Sequence, residues 1–579
     1  MKNSGPLAND VDVPATLLLE ERSAMALNAV AGLADPTSDR PFFTADLACR
    51  PAWLRHGDWD YGSSHGRLVD ACVLGRRMSG CSEYLEAEKG YKEGLLRWFG
   101  EDGLSYRRAE ARGHWEPNAN LIDQRSVLLA LTTWYLDEGD PWVRQRADAL
   151  VAALRRIAIK ERDVWYYPAS EYTKAGWPSA NAVDLRLAPD PAAFSGRLIM
   201  PLVRYYEAVG NEEALELALW FRRLIVERSG VFNEDGSFNA ALAFRSGHFH
   251  TRLGTLEGLA RLALSTGDHA LSGFVRRSYD WARSVGTAFG WTPGDLVGQR
   301  FEHETCSLVD MIGTGVALAT AGFSEYWQVV ERYLRNHLAA CQLLDTDWVE
   351  ERDDHDADEE GWSTCYQVGR RLRGAFAGYC APNDYVADFP LGRGHTADVQ
   401  GCCVGSGVRG LFVGWSNVLT GDERLATVNL LLSRGGPLAD VSSHLPFEGR
   451  VDMVARRHLR ELRVRIPSWA GYASVCVQRR PSSGSGEGVP LRPDWAPDGT
   501  VSVRDLDEGE VMTVTFPLAE DETVEEAAGK RYVTTWRGDD VVAISPPGRY
   551  RPLYAGPPPA GPAPLRRWSY WNPGVQWTW

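Results

Sequence analysis

A paired helix pattern recurs along most of the first 420 or so residues. Two segments with apolar residues at three- and four-residue spacing flank a glycine and a polar residue, as in RSVLLALTTWYLDEGDPWVRQRADALVAALRRIAI around Gly139 and Asp140. Glycine is favoured just after a helix, and aspartate or asparagine caps the next helix. The pattern returns at Gly210, Gly267 and Gly322, and a final copy is WSNVLTGDERLA.

The spacing of these turn glycines indicates how the helices are arranged. They lie roughly 55 to 70 residues apart, which is one helical hairpin plus a connection. A segment of about 400 residues suits a closed ring of about six hairpins, so we expect an (α/α)6 barrel. An open superhelix is the alternative, and it would have a more uniform repeat and fewer long insertions.

After about Arg424 the hydrophobic period changes to two. LRVRIPSW, VMTVTFPLAE and RYVTTWRGDDVVAIS predict strands of an antiparallel β-sandwich. The tail begins as a proline-rich spacer and ends in a Trp-rich segment that must dock, either as a lid over the barrel mouth or in a homodimer contact. We therefore predict an α+β chain with a barrel over residues 1–423, a sandwich over 424–553 and the tail over 554–579.

Composition argues against two classes of partner. The net charge of −15 disfavours nucleic acid, which needs a clustered basic surface. No apolar run reaches the roughly 18 residues that a membrane-spanning helix needs.

The first residues lack the apolar core of a secretory leader, so we expect a cytoplasmic protein whose ten cysteines are reduced. The 22 Trp and 21 Tyr suit stacking on sugar rings, although they also suit a large core.

Two short cysteine-containing stretches are candidates for chemistry. QRFEHETCSLVDM holds Glu304 and Cys306, and DVQGCCVGSG holds Cys402 and Cys403. We expect both pairs in non-helical backbone just ahead of a helix, the first helix starting at a capping box from Ser307 and the second following loosening glycines. Helix N-termini favour thiolates and carboxylates. Three thiolates and a carboxylate suit zinc, while unpaired buried cysteines or a Cys402–Cys403 disulfide stay open as alternatives.

These stretches resemble glycoside hydrolase family 127, the β-L-arabinofuranosidase-type enzymes. FEHETCSLVD followed about a hundred residues later by GCC is the most specific part, and GHFHTRLGTLEGLARLALSTGD and VNLLLSRGGPLADVSSHLPFEGRVDM extend it. The similarity runs from about Asp46 to Leu553. It implies an (α/α)6 barrel followed by β-sandwich modules, with zinc held by the glutamate and the three cysteines and with Cys402 as the nucleophile.

The resemblance also suggests the remaining site residues. The family's acid is a glutamate in a Gly-Glu context, and the comparable residue here is Asp295 in TPGDLVG. Glu302 is the alternative, although it is close in sequence to the ligand Glu304. His248 matches the family's sugar-contacting histidine, and His250 shares its face only in an extended segment. The family's Pro-Pro-Asn after the paired cysteines is replaced by VGSG, as expected of a divergent member.

Arg197 and Arg67 each follow a glycine at a predicted helix start. Each is a candidate for binding a hydroxyl or carboxylate of the substrate, and a surface ion pair is the plainer interpretation of both.

The sequence therefore predicts a zinc-dependent retaining glycosidase. We expect it to cleave a furanoside, most simply a β-L-arabinofuranoside, from a small oligosaccharide or glycoconjugate. An (α/α)6 glycosidase or lyase with another sugar specificity is one alternative. A non-catalytic carbohydrate-binding protein with a structural zinc is the other.

Overall fold

The structure is a computed structural model that describes residues 9–57, 59–108, 117–178, 190–242, 247–296, 302–354, 361–388, 395–482, 488–554, 556, 561–571, 573 and 577.

The long helices of the described chain form a closed double ring. The helices, in chain order, are α1 Leu19–Gly32, α2 Gly62–Ser79, α3 Leu85–Leu96, α4 Leu121–Glu138, α5 Pro141–Ile157, α6 Pro191–Phe194, α7 Ile199–Val209, α8 Glu212–Arg223, α9 Phe249–Thr266, α10 His269–Ser284, α11 Thr305–Thr320, α12 Tyr326–Tyr333, α13 Val368–Leu372 and α14 Gly401–Ser416. Of these, α6 and α13 are short and are not part of the double ring. The inner helices α2, α4, α7, α9, α11 and α14 each pack against the next, and α14 packs against α2. The remaining six long helices pack outside them. This arrangement confirms the predicted (α/α)6 barrel.

The burial of each helix follows its place in the double ring. Every residue of α14 is buried, as expected for an inner helix with neighbours on all sides. The outer helix α10 buries one face only. Two π-helical turns, Leu224–Arg228 and Leu334–Leu338, continue α8 and α12.

The predicted helix-turn chemistry is confirmed at three hairpins. Gly139 ends α4 with φ of 68°, and the Asp140 side chain accepts a hydrogen bond from the Trp142 N–H in the first turn of α5. Gly210 and Gly267 end α7 and α9 in the same left-handed conformation. Each glycine is needed there because other residues adopt a positive φ at a cost.

The final copy of the pattern, in WSNVLTGDERLA, is wrong as a helical hairpin. The helix α14 ends at Ser416, and Leu419–Gly421 pairs with Ala426–Val428 as a β-hairpin. The Asp422 carboxylate accepts hydrogen bonds from backbone N–H groups of the turn, so the same Gly-Asp chemistry that caps a helix closes a hairpin here.

A six-stranded antiparallel sheet lies at the N-terminal ends of α11 and α14. Its strands, in spatial order, are β8 His303–Glu304, β10 Ala377–Cys380, β13 Asp398–Gln400, β2 Thr44–Asp46, β3 Trp53–Arg55 and β9 Ser363–Thr364. The strand β8 runs directly into α11, and β13 runs directly into α14. The sheet therefore sets where both cysteine-bearing helices begin.

The described residues of the C-terminal part form two five-stranded sheets and a smaller one. The first has the order β14 Leu419–Gly421, β15 Ala426–Val428, β18 Leu459–Arg465, β22 Thr500–Leu506 and β21 Asp494–Trp495; the second has the order β16 Ala439–Ser443, β17 Arg450–Ala455, β23 Val511–Thr515, β19 Cys476–Arg480 and β20 Val489–Leu491. Alternate residues of both sheets are buried in one hydrophobic cluster that continues into the barrel. The pairing departs from the predicted antiparallel sandwich at β15 and β18, which are parallel.

The smaller sheets join distant parts of the chain. The three-stranded sheet β24 Glu520–Ala527, β25 Lys530–Arg537 and β26 Asp540–Ser545 packs on Phe289 and Trp291 of the barrel. The strand β27 Leu565–Tyr570 pairs with β1 Asn9–Pro14, so the described part of the tail lies against the N-terminal strand. The remaining two-stranded sheets pair β4 Ala119–Asn120 with β7 Glu171–Tyr172, β5 Ile159–Glu161 with β6 Val164–Tyr166, and β11 Ala387–Asp388 with β12 His395–Thr396.

Two further tryptophans of the tail contact one end of the barrel. The ring of Trp571 packs on Gly80 just after α2, and the guanidinium of Arg77 in the last turn of α2 lies 3.8 Å from the ring centroid of Trp577. This is the end opposite the starts of α11 and α14. Among the described helices, none is both long and apolar enough to cross a membrane.

Candidate active site

The two predicted motifs lie at the starts of neighbouring inner helices. Glu304 is the last residue of β8 and the N-cap of α11, and Cys306 lies in the first turn of that helix. Cys402 and Cys403 lie in the first turn of α14. The expectation that the cysteines precede their helices is therefore wrong, because α11 begins two residues before the predicted capping box at Ser307.

The structure brings the four predicted ligands into one buried cluster, here called the thiol cluster. One carboxylate oxygen of Glu304 and the Sγ atoms of Cys306, Cys402 and Cys403 all lie within 4.8 Å of one another. The Cys403 sulfur is 3.5 Å from that of Cys306 and 4.0 Å from that of Cys402. A tetrahedral zinc ion holds two sulfurs about 3.8 Å apart, given bond lengths near 2.3 Å. The spacing of the donor atoms therefore suits such a metal.

Accessibility distinguishes the three thiols. Cys306 and Cys403 are fully buried, whereas Cys402 is 8 % exposed. The Cys402 sulfur lies 3.5 Å from the side-chain oxygen of Gln400, at the end of β13. Of the three cysteines, Cys402 is therefore the one that keeps any solvent exposure.

The protonation of the cluster follows from its crowding. Burial raises the pKa of the Cys306 thiol, but hydrogen bonds from Cys402 and Cys403 and the charge of Arg67 outweigh it and hold that pKa well below its ordinary value. The hydrogen bond to Cys306 raises the pKa of Cys402, and burial raises that of Cys403. Without a cation, one thiolate therefore accepts from two thiols. A divalent cation would favour three thiolates, because it adds positive charge at the common centre.

A buried polar chain supports Cys306 from the barrel interior. Arg67 donates to the Cys306 sulfur over 3.2 Å and contacts His250 Nε2 over 3.2 Å. Arg197 also donates to His250 Nε2, and His250 Nδ1 lies 2.5 Å from the Asp310 carboxylate. Burial and the charge of Arg197 lower the pKa of His250 well below its ordinary value. A neutral imidazole that donates from Nδ1 to Asp310 and shares its one Nε2 lone pair between the two guanidinium groups accounts for these contacts.

The location of the two arginines in this polar chain corrects one expectation. Arg67 and Arg197 are 3 % and 5 % exposed, so neither forms a surface ion pair. Both guanidinium groups lie inside the barrel, and Arg67 carries its charge to the thiol cluster. Whether either contacts substrate stays a prediction.

The other predicted residues lie around Glu304. His248 Nε2 is 2.5 Å from the Glu304 carboxylate, and the His248 side chain is 43 % exposed. The residue forms the N-cap of α9, and its ring contacts that of His250 edge-on, with centroids 5.6 Å apart. Asp295 forms a β-bridge with His248, and the Gly294 N–H donates to the Glu302 carbonyl oxygen. Both candidate acids are therefore on segments adjoining the cluster, and both are buried.

Two site residues were missed by the sequence analysis. Tyr379 lies directly opposite Glu304 in the pairing of β10 with β8, and burial with the charge of Glu304 raises its pKa well above the ordinary value. Gln400 contacts both Tyr379 and Cys402. Because Gln400 is only two residues before Cys402, its closeness in sequence could have indicated that it lies beside the cluster. Tyr379 has no sequence signal, because its place depends on strand register.

The fold and the site together define a class: an (α/α)6 barrel with a cysteine-rich cluster at the N-terminal ends of its inner helices, followed by a β-sandwich. Neither a protein-family model nor a curated protein matches the sequence. Solved structures do match. The fold is similar to that of a GH127 β-arabinofuranosidase, with a TM-score of 0.56 and 14 % identity over 90 % of this chain and 79 % of that one.

Two more solved structures have the same fold. One is a GH127 β-L-arabinofuranosidase from Geobacillus stearothermophilus T6, with a TM-score of 0.53 and 14 % identity over 90 % of this chain and 80 % of that one. The other is described as a glycoside hydrolase, with a TM-score of 0.58 and 13 % identity over 92 % of this chain and 83 % of that one. The similarity that the motifs indicate is thus confirmed in the fold.

Proposed function

We propose that this chain is a zinc-dependent retaining glycoside hydrolase that cleaves a furanoside, with a β-L-arabinofuranoside as the first substrate to test. One observation carries the proposal. The Cys402 thiol, on the one cysteine of the thiol cluster that keeps any solvent exposure, lies within 4.8 Å of two further sulfurs and a carboxylate oxygen in a fold shared with GH127 enzymes. The exposed imidazole of His248 beside Glu304 suits contact with a small sugar.

The donor set fits zinc better than a hard cation. Three sulfurs and one carboxylate oxygen match the soft and borderline ligands that zinc prefers, whereas magnesium and calcium require oxygen. Glu304, Cys306, Cys402 and Cys403 would hold the ion. When bound, zinc would keep the sulfurs as thiolates at neutral pH and stabilise sulfur as a leaving group.

The reaction proceeds through Cys402 in two displacements. In the first, the Cys402 sulfur forms a bond to the anomeric carbon while the glycosidic C–O bond breaks and the Asp295 carboxyl group protonates the departing oxygen. In the second, the Asp295 carboxylate takes a proton from water, the water oxygen attacks the anomeric carbon, and the C–S bond breaks. The anomeric configuration is retained because it inverts twice.

The test compares metal content and hydrolysis in the wild type, Cys402→Ser and Cys72→Ser. Cys72 is a buried cysteine of α2 outside the thiol cluster, and its variant is the matched control. We expect stoichiometric zinc in the wild type and the control. On an aryl β-L-arabinofuranoside, kcat/KM should fall by about 10⁴-fold or more in Cys402→Ser, because the nucleophile is removed.

A panel of aryl furanosides and pyranosides then identifies the sugar. Zinc without activity on any member would favour another substrate or a structural role for the metal. Zinc-free protein, purified under reducing conditions, would contradict the proposal.

A further inference from the structure

A second group of metal-binding side chains lies apart from the thiol cluster. His337 belongs to the π-helical turn after α12, and Cys341 follows one helical turn later, its N–H donating to the His337 carbonyl oxygen. The Cys380 sulfur is 3.4 Å from that of Cys341 and 3.5 Å from His337 Nε2. One donor atom from each residue lies within 4.8 Å of the others, and all three residues are fully buried.

The register of one strand pair places this group behind the thiol cluster. In the antiparallel pair of β8 and β10, Glu304 is opposite Tyr379 and His303 is opposite Cys380. Successive side chains of a strand point to opposite faces. Glu304 faces the thiol cluster, so His303 and Cys380 face the other side, towards His337.

His303 supplies an independent indication of a ligand. It is completely buried, and its Nε2 atom has no hydrogen-bond partner among the described residues. Its Nδ1 lies 3.0 Å from the Thr292 backbone nitrogen and 3.1 Å from the Thr292 carbonyl oxygen, and its ring stands edge-on to that of His337 with centroids 4.5 Å apart. In the tautomer whose Nδ1–H donates to that carbonyl, and does not accept from the Thr292 N–H, Nε2 keeps a free lone pair. Metal-binding histidines commonly have their other nitrogen oriented in this way.

We infer that His337, Cys341 and Cys380 bind a second zinc ion, in a structural site distinct from the thiol cluster, and that His303, which borders this group of three, moves in to supply the fourth donor. Bond lengths near 2.3 Å to sulfur and 2.0 Å to nitrogen place a sulfur and a nitrogen on tetrahedral zinc about 3.5 Å apart, as His337 and Cys380 are. Two cysteines and two histidines form a closed zinc set, and the buried location leaves no position for substrate. The other ring nitrogen of His337, Nδ1, lies 3.5 Å from the Tyr554 hydroxyl.

An ion at this site would link the π-helical turn after α12 to the β8–β10 strand pair. The next residue after His303 is Glu304, so the ion would hold the strand that presents a ligand to the thiol cluster. The inference does not depend on the proposed activity, because it concerns different donor atoms.

The test is zinc content per chain, by elemental analysis, of full-length protein purified under reducing conditions and equilibrated with zinc chloride alone. The wild type should hold two equivalents. Cys341→Ser/Cys380→Ser should hold one, and so should Cys306→Ser/Cys403→Ser. The control Cys72→Ser/Cys81→Ser, with cysteines outside both groups, should hold two.

Each departure from these numbers has a distinct meaning. Unchanged zinc content in Cys341→Ser/Cys380→Ser would overturn the second site, and unchanged content in Cys306→Ser/Cys403→Ser would instead overturn the first. If the double serine variants do not fold, X-ray absorption of the wild-type protein decides. Two zinc ions with mean sulfur coordination below the three of the thiol cluster support the second site, and a single zinc or a Cys341–Cys380 disulfide excludes it.

Discussion

At the residue scale, the candidate chemistry depends on differences between side chains that share one pocket. The three thiols of the thiol cluster are similar in type but not in environment, since Cys306 accepts from Arg67 and Cys402 alone reaches solvent. The acid is not distinguished in this way. Asp295 and Glu302 are both buried beside the cluster, and the Gly294 N–H donates to the Glu302 carbonyl oxygen. Substitution is needed to decide between them.

Asp295→Asn should impair the reaction in a manner that depends on the leaving group. A general acid contributes about 10²- to 10⁴-fold, and mainly when the departing oxygen is a poor leaving group. We therefore expect kcat/KM for an alkyl furanoside to fall by about 10³-fold, and that for a nitrophenyl furanoside to fall far less. Steady-state kinetics on both substrates checks this. Glu302→Gln is the matched control, and the same selective loss in Glu302→Gln, but not in Asp295→Asn, would transfer the role to Glu302.

At the element scale, the sequence predicted which helices carry the site but not how closely they pack. The glycines near Cys402 were interpreted as loosening a loop, and that interpretation is wrong. Gly405 and Gly407 lie within α14, where a Cβ on Gly405 would come 2.8 Å from the Arg67 carbonyl oxygen of α2. Glycines in a helix usually weaken it, and here they allow contact between backbones. Sequence alone cannot distinguish a glycine that loosens a loop from one that allows two helices to pack closely, because the difference depends on how near the neighbouring helix lies.

Gly407→Ala tests that packing role. A Cβ at this position would overlap the ring of Phe376, which is fully buried next to β10. The overlap should cost about 1–3 kcal/mol and displace the start of α14, lowering both the melting temperature and activity. The control is Gly273→Ala on the outer helix α10, where the nearest atom would be 4.0 Å away. That change should stabilise the protein by up to about 1 kcal/mol. Equal melting temperatures for the two variants, by calorimetry, would contradict the argument.

At the scale of the whole molecule, local patterns predicted the barrel and long-range pairing escaped prediction. The period of the helices and the turn chemistry around Gly139 are local signals, and they led to the (α/α)6 ring. The pairing of β1 with β27 joins segments from the two ends of the chain. The opposition of Tyr379 to Glu304 likewise depends on register across a long connection. Neither leaves a periodic trace in the sequence.

Glu20 is where the described part of the tail, the first helix and the last inner helix meet. Its carboxylate accepts hydrogen bonds from the indole N–H groups of Trp415 in α14 and Trp568 in β27, at 2.9 Å and 3.1 Å. Burial raises the pKa of Glu20 to about 7, although both hydrogen bonds lower it. Since an unfolded glutamate titrates near 4.3, the folded protein holds a proton that the unfolded chain lacks over the interval from about 4.3 to 7.

That difference gives the Glu20 contribution a definite sign. Because the folded state binds more protons in this interval, the contribution to stability is complete below about pH 4.3 and declines as the pH rises to about 7. The loss is of the order of 3 kcal/mol. Glu20→Gln cannot ionise but sacrifices one indole hydrogen bond, worth about 1 kcal/mol. We therefore expect the variant to melt below the wild type at pH 4, equal to it near pH 5 and above it at pH 8, as measured by thermal unfolding at several pH values.

The neighbouring residue provides the comparison that makes this crossover informative. Glu21 lies on the same helix, but its half-exposed carboxylate pairs with Arg566. Glu21→Gln should change stability by less than about 1 kcal/mol, as expected for a surface ion pair. A constant offset between Glu20→Gln and the wild type from pH 4 to pH 8 would mean that the pKa of Glu20 is not raised in the folded protein. A crossover in Glu20→Gln that is missing in Glu21→Gln would show that a buried proton on Glu20 stabilises the contact between the tail and the barrel.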